Sequence, residues 1–349
     1  MQQQGSSIFH QHHHDFPVPL SVETAAAAKL PALLQRDDVL MAVNFSGKTA
    51  IDHEDPRLVH AGLRVLGASD AVEVWRGSGP VSCHRKGRIT WSENGDVLFG
   101  HLLLEETAAT DVGELIAAAY NEINSFLYAS AYPCAFRFWH YIPRINRVDH
   151  GIERYQAFCV GRYSALSLQR DFERTLPAAS AVGTGVPGLL ISFASGKTRP
   201  LQVENPRQVS AFHYPPVHGP RSPLFSRAAS MNWHGDRQLF LSGTASIVGH
   251  ETLHGGDVFA QALETCRNID AILEGFTRYP CKANASQITA SSLRVYLRHP
   301  GHLKSVANIL NSRPDLQGNI IYLQGDLCRA ELLLEIEGVF GPIGSTVPG

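Results

Sequence analysis

Two acids stand out in an apolar stretch near the C-terminus. In D-L-C-R-A-E-L-L-L-E-I-E-G, residues 326–338, Glu335 and Glu337 follow Leu332, Leu333 and Leu334, with Ile336 between them. Along an extended strand alternate side chains share a face, so the two acids point one way and Ile336 the other. One reading is an edge strand with a solvated carboxylate pair, because acids are rarely buried without a partner. The other is a carboxylic acid held in a partly dry cleft, its pKa raised so that it can deliver a proton. A second group joins arginines and tyrosines in apolar surroundings. Tyr155 and Arg162 fall two turns apart on one face of a helical segment. Tyr214 sits in the connector F-H-Y-P-P-V-H-G-P, Arg227 follows in S-P-L-F-S-R-A, and Arg294 lies on a strand, L-R-V-Y-L. Singly, each reads as a surface arginine or a core tyrosine. Jointly they suit a small dianion, since guanidinium forks grip carboxylates bidentately.

Other motif matches fail on context. H-E-T-L-H at 250–254 has the zinc-protease pattern, which requires both histidines on one helical face. Here it follows the strand-like S-G-T-A-S-I-V and runs into Gly255-Gly256, so no helix is expected. G-T-G-V-P-G at 183–188 matches a dinucleotide fingerprint but leads into a strand, with Pro187 where a helix would form. The S-G-K-T runs at 46–49 and 195–198 lack the first glycine of a phosphate loop, with Ala42 and Ile191 in its place.

The elements that must position the acids come in two copies. Asp111-Val112, Ala117, Ile123 and Leu127 recur as Asp257-Val258, Leu263, Ile269 and Leu273, and Tyr132-Pro133-Cys134 recurs as Tyr279-Pro280-Cys281. Upstream, Leu98-Phe99-Gly100 parallels Leu241-Ser242-Gly243, and Trp91 before Asn94-Gly95-Asp96 parallels Trp233 before Gly235-Asp236. Each copy reads as strand, turn, strand, amphipathic helix, then a strand carrying an arginine (136–141 and 293–297). A second helix and a last strand follow, at 152–172 and 189–194 in copy one and at 303–312 and 332–337 in copy two. Strands alternating with long helices indicate an α/β (α+β) chain, its mixed sheets covered on one side by helices. Three segments are expected: an extension at 1–55 of no assigned role, a first repeat at 56–200 and a second at 201–349. Aligning the last strands puts Ser192 opposite Glu335, so only copy two keeps the acid.

Composition narrows the classes. The chain has 349 residues, 44% of them apolar and 18% charged, and a net charge of -2, which gives no general pull toward nucleic acid or anionic membrane. No apolar run approaches the ~18 residues of a membrane helix. The N-terminus lacks the blocks of a secretory signal. Six cysteines are scattered without a C-x-x-C pair, suggesting neither zinc nor a disulfide framework. His10, His12, His13 and His14 sit in a Gln-rich tail and read as a tail. A reduced, soluble, cytoplasmic protein is expected.

L-S-G-T-A-S, the following G-D-V-F-A-Q-A-L-E-T-C-R-N-I-D-A-I-L-E and the closing E-L-L-L-E-I-E-G resemble the RidA/YjgF fold. More specifically, R-F-W-H-Y-I-P-R-I-N (137–146), E-R-Y-Q-A-F-C-V-G-R (153–162) and C-R-A-E-L-L-L-E-I-E resemble the chorismatase family, from about residue 60 to the C-terminus. The resemblance implies an enzyme that releases pyruvate from chorismate and needs neither metal nor organic cofactor. It implies Glu335 as proton donor, with substrate contacts at Tyr155, Arg162, Tyr214, Arg227 and Arg294. It also implies that Cys328 and Ala245 decide the product. Cysteine at the first resembles the aromatising, hydroxybenzoate-forming branches, while alanine at the second departs from the glycine of the 3-hydroxybenzoate-only branch. The mixed pair points to 3- and 4-hydroxybenzoate together. Alternatives are hydrolysis to a dihydroxycyclohexadiene carboxylate, a RidA-like enamine or imine hydrolase, or a small-acid binding module. The fold family favours homotrimers, yet an internal repeat can supply such contacts within a monomer.

Overall fold

The computed structural model describes residues 20–342 apart from 46, 53, 68–69, 108, 234–235 and 279–287. The histidine-rich tail, Gly235 and the second Tyr-Pro-Cys run lie outside the described residues.

Three mixed or antiparallel sheets carry the fold. The first, five-stranded, runs in the order Leu20–Ala26, Ala71–Gly77, Val39–Asn44, Leu58–Ala61, Thr49–Ile51. The second, six-stranded, runs Ala178–Thr184, Cys134–Pro143, Leu189–Gly196, Val97–Leu104, Ile89–Glu93, Ser82–Lys86. The third, seven-stranded, runs Leu201–Val203, Ala228–Trp233, Asp236–Thr244, Leu334–Pro342, Ile288–Leu297, Asn319–Gln324, Arg64–Val65. Their inner faces meet in one core, to which Val43 and Phe45, then Phe99, Trp139 and Leu190, then Met231, Phe240 and Tyr296 contribute. The outer faces take helices: α1 (Leu30–Leu34) on the first sheet, α2 (Val112–Ala129) and α3 (Arg154–Leu166) on the second, α4 (Val258–Thr277) and α5 (Leu303–Asn311) on the third.

Sequence explains the local choices. L-L-I-S-F-A is apolar on both parities because Leu190 and Ala194 face the shared core while Leu189, Ile191 and Phe193 face helices. The repeated aspartates are helix caps, Asp111 accepting the Glu114 amide at 3.0 Å and Asp257 the Ala260 amide at 3.0 Å. Behind those caps α2 buries Ile116, Tyr120, Ile123 and Leu127 on one stripe.

The duplication is reproduced in the strand register. Arg137 pairs with Ala194 and Trp139 with Ser192; Arg294 pairs with Glu337 and Tyr296 with Glu335. Ser192 and Glu335 therefore hold equivalent places. Each copy has a further strand, Ala178–Thr184 or Asn319–Gln324, parallel to its arginine strand and not foreseen from sequence. One of the two sequence readings and one boundary are corrected. The strand of Glu335 is no edge, since it lies between Asp236–Thr244 and Ile288–Leu297. Nor does the first repeat begin at residue 56: Leu58–Ala61 and Ala71–Gly77 pair into the N-terminal sheet, and Arg64–Val65 edges the third. No described helix is long and apolar enough to cross a membrane.

Candidate active site

The ladder between Asp236–Thr244 and the last strand breaks, its register shifting between Leu241 and Thr244. Gly243 sits in that break. A Cβ there would overlap Oε1 of Glu335, so only a glycine leaves room for the carboxyl. Its amide is held by the hydroxyl of Ser180, which accepts at 2.9 Å from across the repeat boundary.

The two acids have opposite fates. Glu335 is 4% exposed, and its Oε1 has no hydrogen-bond partner among the described residues. Burial, reinforced by the nearby Glu337 charge and opposed by Arg137, lifts its pKa to about 8. At neutral pH it is a carboxylic acid. Glu337 accepts from Trp139 Nε1 at 3.0 Å, Tyr296 OH at 2.9 Å and Arg294 Nη1 at 3.1 Å, and also from Arg137 Nη2. Burial pushes its pKa up, but Arg137 and Arg294 outweigh it and hold Glu337 below the ordinary value, hence ionised.

A cavity of about 240 Å³ opens in front of Glu335, and Tyr155, Tyr214, Arg227, Ala245 and Cys328 line it. Behind it an inner pocket of about 40 Å³ shares Glu335, Tyr155 and Cys328 and adds Arg162, His140 and Ser180. The site thus lies between copy two's strands and copy one's α3. Arg162 is 2% exposed, stacked 4.9 Å from the Tyr120 ring and 5.5 Å from that of Phe158, with no partner for Nε or Nη2 among the described residues. Arg227 donates from Nη2 to Tyr214 OH at 2.8 Å and Val209 O at 2.7 Å, and its buried Nε has no partner among the described residues. Buried guanidinium N–H groups without acceptors are costly, and a ligand carboxylate would satisfy them.

Cys328, Tyr155 and His140 are not poised as bases. Burial carries the Cys328 thiol up to about 12, with Glu335 adding to it, and pushes Tyr155 well above the phenol range. His140 Nδ1 donates to Ser180 O at 2.7 Å, so its Nε2 accepts from Tyr120 OH at 2.6 Å. Burial, helped by Arg162, holds that imidazole neutral.

Arg294 does not join this group, a correction to its expected role. It donates to Glu73 at 2.9 Å, Tyr141 OH at 2.8 Å and Glu337, inside the core, and lines neither cavity. Arg329 was missed. It lines the cavity 5.4 Å from the Tyr214 ring, fixed by His250 O at 2.9 Å. Its place beside Cys328 in the C-R-A-E run was the available signal. Gly243 stood in S-G-T-A-S; Ser180 carried no signal. H-E-T-L-H forms a hairpin around Glu251–Thr252, and α4 begins only at Val258. His250 Nδ1 meets His218 Nε2 at 3.0 Å, and no described group of three or more His, Cys, Asp or Glu side chains is arranged to hold a metal.

One neutral acid facing two under-satisfied guanidiniums is equipment for protonating a small dianion. Comparison with known proteins gives the family. The family model described as chorismatase FkbO/Hyg5-like, N-terminal, matches residues 73–195. A chorismatase of Streptomyces rapamycinicus is 34% identical over 274 residues, 77% of this chain and 81% of that protein. A 3-hydroxybenzoate synthase of Streptomyces hygroscopicus is 32% identical over 316 residues, 86% and 91% respectively. A crystal structure of a chorismatase superposes with a TM-score of 0.83 at 28% identity, over 93% of this chain and 99% of that one. The chain belongs to the chorismatase family.

Proposed function

We propose that this protein cleaves pyruvate from chorismate in the cytoplasm, by enol-ether protonation, to give 3- and 4-hydroxybenzoate. The observation that carries the reading is Glu335: a buried carboxyl, one oxygen unpartnered, its pKa lifted to about 8. Arg162 and Arg227 take the substrate's carboxylates, with Tyr214 steering the second guanidinium through its hydroxyl. Glu335 then gives its proton to the methylene carbon of the enolpyruvyl ether. The resulting oxocarbenium ion makes the side chain a leaving group, and general acid catalysis of this kind typically contributes ~10²–10⁴-fold. As pyruvate departs from C3 with the ether oxygen, loss of the C4 proton gives 4-hydroxybenzoate, whereas migration of the C4 hydroxyl oxygen to C3 with loss of one proton gives 3-hydroxybenzoate; in both cases the atoms of chorismate divide between pyruvate and the aromatic acid with no further reagent. Capture of the cation by water would instead give the dihydrodiol. Cys328, a neutral thiol beside Glu335, excludes that water by filling space. Incubation with chorismate and EDTA should yield pyruvate and hydroxybenzoates, and Cys328→Ala should divert product to the dihydrodiol while pyruvate release continues. Only dihydrodiol from the unaltered enzyme would overturn the aromatising assignment; no pyruvate at all would overturn the activity.

A further inference from the structure

A larger cleft, of about 850 Å³, lies on the outer face of the first repeat, between the end of α2, α3 and the segment after Gln169. The volume is in the range of small-ligand sites. The rings of Tyr120, Phe138 and Phe172 form its walls, and Arg162, Arg174 and Arg199 are its charged residues, with no Asp or Glu in the lining. Arg174 and Arg199 are exposed and make no ion pair with any described residue. Arg162 is common to this cleft and to the inner pocket behind Glu335. Its guanidinium lies 4.9 Å from the Tyr120 ring and 5.5 Å from the Phe158 ring, and two of its nitrogens are buried without acceptors among the described residues.

Aromatic walls with only positive charge select an aromatic anion. Ring faces also stack with guanidinium planes, so the same arginines hold both halves of such a ligand. We propose that the outer cleft is a second ligand site, for an aromatic monocarboxylate, and that Arg162 is the wall it shares with the inner pocket. Arg174 and Arg199 hold the carboxylate at the mouth while the ring lies against Phe138 and Phe172. The class coincides with the aromatic acids proposed above as products, but the site stands on its own lining.

The test is equilibrium dialysis of the full chain with benzoate, and with 3-hydroxybenzoate, against an Arg174→Glu, Arg199→Glu double variant. Both positions are exposed and outside the cavities around Glu335, so the variant folds and its turnover of chorismate stays within about twofold. Benzoate binding should weaken roughly tenfold or more, the loss expected when a charge-assisted hydrogen bond is removed. Absence of benzoate binding, or binding unmoved by the reversal, overturns the proposal. So does a variant that loses turnover together with binding, which would make the cleft part of the catalytic site. Binding reads out whether or not chorismate is turned over, so failure of the activity and failure of this site are separable.

Discussion

The two repeats place a serine and a glutamate, Ser192 and Glu335, at one register position, and the ladders around them differ. In copy one the ladder between Val97–Leu104 and Leu189–Gly196 pairs without interruption, His101 facing Ser192 and Gly100 facing Phe193. In copy two the corresponding ladder is broken between Leu241 and Thr244, and the acid occupies the break. The second acid differs as well: the register-equivalent Arg137 and Arg294 both converge on Glu337, which copy one replaces with Ala194. On the proposed reading, a site in this fold needs a gap in the sheet, an acid in the gap, burial that raises its pKa and a fixed anion behind it that adds to the rise.

Replacing copy two's acid by copy one's residue should break the comparison most completely. Glu335→Ser should lower pyruvate release by ~10²–10⁴-fold, the usual contribution of a placed general acid. Unchanged folding, judged by Tm, and unchanged chorismate binding would accompany it; a variant with near-normal turnover would remove Glu335 from the account. Gly243→Ala comes next. Its methyl overlaps Glu335 Oε1, so kcat should fall ~10²-fold through displacement of the acid. The matched change Gly100→Ala strikes the Phe193 ring instead, and should lower Tm, with overpacking worth ~1–3 kcal/mol, while kcat holds. Equal effects of the two changes on kcat would mean that the break has no special role. The smallest effects belong to Arg162→Ala and Arg227→Ala. They remove charge contacts present in both ground and transition states, so KM should rise roughly tenfold with kcat changed less. If KM stays constant in both, the two guanidiniums serve packing alone.

Much of this was legible in the sequence because the molecule repeats itself. The two Asp caps, the apolar stripes behind them and the arginine-bearing strands align, and the alignment exposes Glu335 as the acid without a counterpart. Helical spacing put Tyr155 and Arg162 on one face, and only the family resemblance gave that face a role. The first sheet was not readable, since nothing elsewhere in the chain matches it. Its strands are short and interrupted by Gly47, Pro56 and Gly62, and they acquire meaning only by closing a core that the two repeats leave open. Arg294 misled for a similar reason. An arginine in an apolar strand looks the same whether it faces a ligand or a buried acid, and its partner Glu73 is 221 residues away. The register shift that makes the site is a single misplaced pairing inside L-S-G-T, and periodicity does not reveal it.

The account rests on Glu335 being an acid, not a carboxylate, when substrate arrives. Its pKa is raised, so the proton is present below about 8 and is lost as the pH climbs through that value. The direct measurement is kcat/KM for pyruvate release against pH, which reports the ionisations of the free enzyme. The profile should be level from about pH 6 to 7 and then fall tenfold per unit above about 8, with that limb absent from the residual rate of Glu335→Gln. A rate that instead rises through the ordinary carboxyl range near ~4.3 and stays level to alkaline pH would show an ionised Glu335 at work, and would contradict it.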